Sequence, residues 1–463
     1  MAASDGTRGM LNLEQLRNAV DSGEVDTVVV AIADMQGRLQ GKRIAARYFL
    51  NEVAGHGTEG CNYLLAVDVD MNTVDGYSMS SWNTGYGDFV MNPDFDTLRL
   101  TPWQPGSALM MADLAWEDGS DVIASPRQIL KKQLARLADL GLTAYVGTEL
   151  EFIVFRDTYE EAWDKAYRDL IPANQYNVDY SLLGTARVEP LLRRIRNSME
   201  SAGLYVESAK GECNLGQHEI AFRYAEALQT ADQHSIYKEA AKEIASQEGM
   251  SLTFMAKFNE REGNSCHIHI SVRGNGDGHP DDAAVMADDA NNHELSPLGR
   301  SFVAGQLAHM RELTLFSAPN INSYKRFAPG SFAPTTVAWG RDNRTCAIRL
   351  VGHGPALRME NRVPGGDINP YLAISALVAA GIDGMQKGTT LEDALSGNAY
   401  EADLPKVPHT LGDALRLWEA SDFAKEAFGE DVVNHYANMA KIELASYSST
   451  VTDWELRRNF ERF

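Results

Sequence analysis

The stretch Asn322-Ser323-Tyr324-Lys325-Arg326-Phe327-Ala328-Pro329-Gly330-Ser331-Phe332-Ala333-Pro334 sets two adjacent cations beside a Pro-Gly turn in a chain of formal net charge −22. The region after it stays basic. Lys325, Arg326, Arg341, Arg344, Arg349, Arg358 and Arg362 stand against only Asp342 and Glu360. A cationic island in an acidic chain is stabilised by anions brought in, and guanidinium groups match phosphate and carboxylate best. The plainer alternative is a set of solvated strand residues paired to acids elsewhere. Composition does not separate the two readings; the acids and histidines upstream do.

With 463 residues, 44% of them hydrophobic, the chain can bury one large domain or two to three ordinary ones. No run of about 20 apolar residues is present, and the opening Met1–Arg8 lacks the apolar stretch of a signal peptide. Four cysteines (Cys61, Cys213, Cys266 and Cys346) lie far apart with no CxxC, unlike a zinc knuckle or a disulfide scaffold. These features point to a reduced, cytoplasmic enzyme with no membrane partner. The acidity argues against nucleic acid as a partner, because phosphate contact needs a basic face.

Periodicity and turn signals predict a helix over 11–21, a strand over 28–33 and a hairpin through Asp34–Arg43, then short strands over 60–104. A helix starts at Ser125-Pro126 and stops at Gly141. Next come a strand at 143–155, a polar linker at 156–180, a helix at 190–203, and strands at 204–210 and 218–224. A helix at 231–248, strands at 251–258 and 266–272, an exposed loop at 274–294 and a helix at 297–316 lead to the basic strands. Helices at 370–387, 410–428 and 431–446 close the chain. The economical division is an N-terminal β-rich domain over 1–110 and a large α+β domain over 111–463.

Glu149-Leu150-Glu151 lies on an apolar strand, so its two carboxylates face the same way and repel unless a cation sits between them. One such pair alone could equally belong to an edge strand in water. Glu212 and Glu219 flank a turn, Asn214-Leu215-Gly216-Gln217, and a hairpin there brings both to one end of a sheet. His267-Ile268-His269 repeats the same-face spacing, as does Arg358-Met359-Glu360-Asn361-Arg362, which could alone be an ion-pair ladder. Together these supply a carboxylate-rich, thiolate-free donor set that suits Mg²⁺ or Mn²⁺ better than zinc. Metals beside arginines make a phosphoryl-transfer site. Neither GxxxxGK[ST] nor a GxGxxG opening a helix occurs, so metals, arginines and sheet must hold the nucleotide.

These motifs, in order, resemble the glutamine synthetase family, type I branch, along nearly the whole chain. They include Asp75-Gly-Tyr-Ser-Met-Ser-Ser-Trp82, the Glu149/Glu151 strand, Glu212 with Glu219, His267-Ile-His-Ile-Ser271, Asn322–Gly330, Asn343-Arg344, Arg358–Arg362 and Asn369-Pro-Tyr-Leu372. The resemblance implies an α+β fold: a small β-grasp-like N-terminal domain and a catalytic domain with a curved antiparallel sheet flanked by helices. It implies one metal on Glu151, Glu212 and Glu219, and another on Glu149, His267 and Glu360. ATP contacts are implied for Glu207, His269, Ser271, Arg349 and Arg358. L-glutamate is implied near Glu151 and Gly263, its carboxylates met by Arg326 and Arg362. Arg344 and Arg349 are implied as catalytic cations and Asp75 as the base for the incoming amine, with Asp88 nearby. Family members are typically dodecamers of two hexameric rings in which the N-terminal domain closes the neighbouring subunit's site.

Three departures bear on the nitrogen donor. The family's synthetases carry, after Pro-Gly, a glutamate that helps bind ammonium; Phe332 stands there instead. An ammonium ion needs carboxylates around it, whereas a larger amine brings carbon that an apolar wall buries at about 25 cal/mol per Å². Glu262-Gly263-Asn264-Ser265 replaces the usual asparagine-led loop. Asn398–Asp403 only loosely resembles the tyrosine motif adenylylated in some bacterial synthetases, so Tyr400 is not expected to be regulatory. The departures are similar to those of the γ-glutamylamide branch, whose members join glutamate to ethanolamine, polyamines or short alkylamines. The expectation is an ATP-dependent glutamate–amine ligase. The rivals are an ordinary glutamine synthetase using ammonia, a non-catalytic relative, and a His-x-His metal hydrolase.

Overall fold

The computed structural model describes residues 9–288 and 290–463, apart from the side chains of residues 291–293. Residues 1–8, on which the reading of no leader rests, and residue 289 of the expected loop 274–294 lie outside the described residues. An N-terminal mixed sheet has the strand order β2-β1-β6-β4-β3, with β5 paired to β6. Its strands are β1 (Thr27–Ala33), β2 (Leu39–Ala45), β3 (Thr58–Cys61), β4 (Asp88–Pro93), β5 (Arg99–Leu100) and β6 (Ser107–Ala115). The β1–β2 hairpin turns on Asp34, whose buried carboxylate accepts from the amides of Gln36 (3.0 Å) and Arg38 (2.8 Å). Strand β6 runs parallel to β1 and continues past residue 110 to Ala115.

The second sheet has the order β15-β16-β17-β12-β7-β9-β8, with β10 and β11 also on β7. Its strands are β7 (Leu142–Phe155), β8 (Val206–Gly211), β9 (Gln217–Phe222), β10 (Ala225–Glu226), β11 (Ser251–Thr253), β12 (Cys266–Gly274), β15 (Trp339–Arg341), β16 (Ile348–Val351) and β17 (Arg358–Asn361). Every pairing is antiparallel except β15 with β16. A small ladder, β13 (Ala287–Asp288) with β14 (Asn291–Leu295), lies in the loop after β12. Helices Pro126–Ala138 and Ala227–Gln247 pack on β7, and helix Pro370–Lys387 packs on both and on helix Pro297–His309. That last crossing is close. A Cβ at Gly305 would meet the Ala380 carbonyl at 2.1 Å and Gly384 Cα at 2.7 Å, so the helices touch only because both positions are glycine.

One continuous apolar core runs through both sheets. Buried Arg127 ties them further, donating to Asp94 (2.7 Å) and Asp113 (2.6 Å) on the N-terminal side and to Asp232 on helix Ala227–Gln247. Helix Pro370–Lys387 begins where the sequence places it, with the Asn369 side chain capping Tyr371 at 3.1 Å and donating to the Asp34 and Met35 carbonyls.

Several elements are shorter than expected. The strand at 251–258 ends at Thr253, because the Asn264 side chain takes the carbonyls of Thr253 (3.3 Å) and Met255 (2.9 Å) in place of a ladder. The helix at 297–316 stops at His309 and resumes at Thr314–Ser317, with the Thr314 hydroxyl bonded back to the Met310 carbonyl at 2.7 Å. The helix at 410–428 is two helices, Leu411–Ala420 and Asp422–Phe428, because Ser421 caps the second through the Ala424 amide at 2.9 Å. The linker at 156–180 contains the helix Tyr159–Asp164, started by a capping box of Thr158 and Glu161.

Candidate functional site: an acidic cluster above a nucleotide-sized cleft

The centre of the second sheet collects the acids. In the β7–β12–β17 register, Glu149 lies opposite His267, and His269 opposite Glu360. On the other side of β7, Glu151 lies opposite Glu219 of β9. Glu212 follows β8 and is brought back by the β8–β9 hairpin. Ligand atoms of Glu151, Glu212 and Glu219 all fall within 4.8 Å of one another, as do those of Glu149, His269 and Glu360. His267 also reaches the second group: its Nδ1 is 3.3 Å from Glu149 Oε2 and 3.4 Å from Glu360 Oε1.

The two histidines differ in what they can offer. Arg358 Nε donates to His269 Nδ1 at 3.3 Å, so the His269 proton sits on Nε2, which points at Glu149 at 2.9 Å. His269 thus faces the arginine side, while His267 Nδ1 is turned toward both carboxylates. Burial, reinforced by Arg362, pulls His267 down to about 4 and keeps it neutral, the form that ligates metal.

The acids separate electrostatically. Burial, then the charge of Glu212, pushes Glu151 up to about 8. Burial raises Glu219 well above the usual carboxylate range, with Glu149 adding to it, and burial raises Glu212. Burial works the same way on Glu149, but hydrogen bonds with His267 and His269 outweigh it and hold Glu149 low. Three acids that resist ionising together are a set in want of a cation. The all-carboxylate donors fit a hard divalent ion. Lys210, cross-strand from Glu219 and ion-paired to Glu212, supplies part of that countercharge. Sequence reading missed it; its signal was a lysine two residues before Glu212 on a strand edge.

Beside the Glu149 and His269 end lies a cleft of about 420 Å³. Glu207, His269, Ser271 and Arg358 line it, together with Tyr145 and Tyr224, whose rings meet edge-on at 6.2 Å. The tyrosines were not foreseen. Arg349 stands apart, bridging Asp342 (2.9 Å) and Glu360 (3.0 Å).

Of the two cations that open the basic stretch, Lys325 is exposed and Arg326 is buried. Arg326 donates to Ser265 Oγ at 3.3 Å and to the Val363 carbonyl, leaving a buried Nε with no partner among the described residues; Arg362 likewise keeps a buried Nε unpartnered among them and pairs with Glu360. Burial lowers Arg326 to about 10, despite the opposing charge of Glu151. Gly263 lets the arginine lie there: a Cβ at 263 would meet the Ala256 carbonyl at 2.3 Å and Arg326 Cγ at 2.9 Å. Arg344 is exposed in the turn between β15 and β16 and forms no ion pair among the described residues. Phe332 has φ 58, a left-handed conformation that a bulky residue keeps only when its surroundings hold it, and the residue is 57% exposed.

Asp75 and Asp88 are both exposed and form no hydrogen bond or ion pair with the cluster among the described residues. The Asp75 carbonyl accepts from Asn438 at 3.0 Å, on helix Glu430–Ser449, and Asp88 begins β4. The fold therefore joins the acids and histidines, the cleft residues and the two buried arginines singled out in sequence on one sheet face and its bordering loops, and keeps Asp75 and Asp88 elsewhere in the chain.

A buried carboxylate cluster joined to a nucleotide-sized cleft and two buried guanidiniums defines a ligase site of the phosphoryl-transferring kind. The chain belongs to the glutamine synthetase family: residues 123–459 match the model of the glutamine synthetase catalytic domain. It is 66% identical over 452 residues to a gamma-glutamylethanolamide synthetase of Streptomyces coelicolor, covering 98% of this chain and 96% of that protein. It is 35% identical over 450 residues to a glutamate–isopropylamine ligase of a Pseudomonas species, covering 96% and 97%. Among solved structures, GmaS in complex with ADP superposes with a TM-score of 0.83 at 28% identity, covering 96% of this chain and 99% of that one. Membership of the family carries with it the use of ATP and a divalent metal. No helix among the described residues is long and apolar enough to cross a membrane.

Proposed function

We propose that the chain is an ATP-dependent glutamate–amine ligase acting on a small primary amine, ethanolamine first among them. Glu151, Glu212 and Glu219 would hold one divalent ion and Glu149, His267 and Glu360 another, Mg²⁺ or Mn²⁺, which would neutralise phosphate charge. Arg326 and Arg362, each with a buried free Nε, would take the substrate's carboxylates. The γ-carboxylate oxygen of glutamate attacks the terminal phosphorus of ATP, the bond from that phosphorus to the bridging oxygen breaks and ADP leaves, and Arg344 meets the charge on the transferred group. The amine nitrogen then attacks the acyl carbon, the bond to phosphate breaks, and Asp75 removes the extra proton. Because Asp75 lies away from its own chain's cluster, it would serve a neighbouring subunit, in a cytoplasmic dodecamer of two rings.

The observation that carries the choice of amine over ammonia is Phe332, whose carbonyl accepts from the glutamate-binding Arg362 at 3.4 Å: an apolar residue stands at the place where the synthetases carry a carboxylate. The similarity to gamma-glutamylethanolamide synthetase supports it. The test is amide formation from glutamate and ATP across ammonia, methylamine, isopropylamine, ethanolamine and putrescine. Ethanolamine should lead in kcat/KM; ammonia in first place defeats the reading.

A further inference from the structure

The residues that lead into β15 and β16 share a small apolar cluster with the segment 395–402. Ala338, Cys346 and Ala399 form it, with Leu395 against them, separate from the main core. Around this cluster the segment is bonded to both loops that border the reacting group. On one side, Asn343 Nδ2 donates to the carbonyls of Leu395 (3.4 Å) and Gly397 (2.9 Å), and the Ala399 amide donates to Thr345 Oγ1 (3.0 Å). Those two residues flank Arg344. On the other side, Thr336 Oγ1 donates to the Ala399 carbonyl (2.7 Å), and the Tyr400 hydroxyl donates to the Ala333 carbonyl (3.1 Å). Ala333 follows Phe332.

We propose that segment 395–402 is a strap that sets the Phe332 loop against the Arg344 turn, and that Tyr400 is a positioning residue for amine selectivity, acting through the Ala333 carbonyl. The inference rests on the reading of the site as a glutamate–amine ligase. Phe332 needs such a hold. Its left-handed backbone is unfavourable for a large side chain and persists only where flanking bonds fix it. Arg362 donates to the Phe332 carbonyl at 3.4 Å, Ser331 Oγ donates to the Ala328 carbonyl at 2.6 Å, and the Tyr400 hydroxyl holds the next carbonyl, that of Ala333, at 3.1 Å. Once released, the loop relaxes and the apolar wall is lost. Water then competes for the acyl phosphate: its oxygen bonds to the acyl carbon, the bond to phosphate breaks, and glutamate and phosphate are regenerated without amide.

The experiment compares the full-length wild type with Tyr400→Phe, supplied with glutamate, ATP, Mg²⁺ and either ethanolamine or ammonia, measuring phosphate released per amide formed. Loss of one hydrogen bond that orders the loop should raise that ratio by about threefold or more and shrink the preference for ethanolamine by a similar factor, with KM for ATP unchanged. Thr345→Ala loosens the strap from the Arg344 side and should raise the ratio as well, while Thr345→Ser, which keeps the hydroxyl, restores it. Tyr400→Phe and Thr345→Ala that both match wild type in ratio and preference overturn the strap. The wild-type panel reports separately on the ligase reading: a wild type that prefers ammonia defeats that reading, while a raised ratio with ammonia still supports the strap.

Discussion

The Arg362 guanidinium donates to the carbonyl oxygen of Phe332 at 3.4 Å. One arginine therefore borders both halves of the reaction. Its buried side faces Glu360 and the acidic cluster, and its outer nitrogen holds Phe332, the residue proposed to wall the incoming amine. On that proposal, selectivity for the nitrogen donor is coupled to the site proposed to activate glutamate.

That coupling makes position 332 decisive. Phe332→Glu returns a carboxylate to the loop, so the ratio of kcat/KM for ammonia to that for ethanolamine should rise by about tenfold or more, since a charged partner for a desolvated cation contributes on the order of 1.5–3 kcal/mol. Steady-state kinetics with both donors checks it. An unchanged ratio shows that another residue sets the nucleophile.

Glutamate binding should depend on the planar fork at 326. Arg326→Lys cannot span Ser265 and the Val363 carbonyl while presenting a free Nε, so KM for glutamate should rise by about tenfold with KM for ATP little changed. Gly263→Ala should act in the same direction by displacing the arginine, because its new Cβ would fall 2.9 Å from Arg326 Cγ.

The acids make stability depend on pH and metal together. Folding raises Glu151 from its ordinary 4.5 to about 8. Between those values the folded chain holds a proton that the unfolded chain has released, so metal-free stability falls as pH rises through this window. With EDTA, the melting temperature should drop by roughly 5 °C or more from pH 5.5 to 8, and Mg²⁺ should raise it more at pH 8 than at pH 6. Differential scanning fluorimetry at both pH values decides it; a metal effect independent of pH contradicts the assignment of the cluster.

If Asp75 serves a neighbour, two inactive chains can complement each other. Asp75→Asn and Glu219→Gln homo-oligomers should each lose most amide formation, and oligomers assembled from a mixture should regain roughly a quarter of it, because sites pairing two intact contributions recur statistically. Mixed oligomers that stay inactive place the proton acceptor within one chain.

Much of this site was legible because its side chains obey the period of two. Glu149 with Glu151, and His267 with His269, face one way on their strands, and the register sets Glu149 opposite His267. Asn369 marked its helix for a similarly local reason, since the cap and the following proline are adjacent in sequence. Other boundaries depended on distant groups. Nothing near Thr253 announces that Asn264 will take its carbonyl and end the strand. The Ser421 break and the Thr158 capping box carried local signals that the apolar periodicity around them obscured. Lys210, Tyr145 and Tyr224 join the site only through strand pairing, which spacing alone does not reveal. Tyr400 shows the same limit: its motif invites comparison with a modification site, yet its hydroxyl is engaged by Ala333 in a contact no local pattern encodes.

The most direct test of the account is the product formed when purified protein receives glutamate, ATP and Mg²⁺ with ethanolamine and ammonia in equal concentration. Mass spectrometry should find γ-glutamylethanolamide as the main product, with one phosphate released per amide. Glutamine as the main product would contradict it.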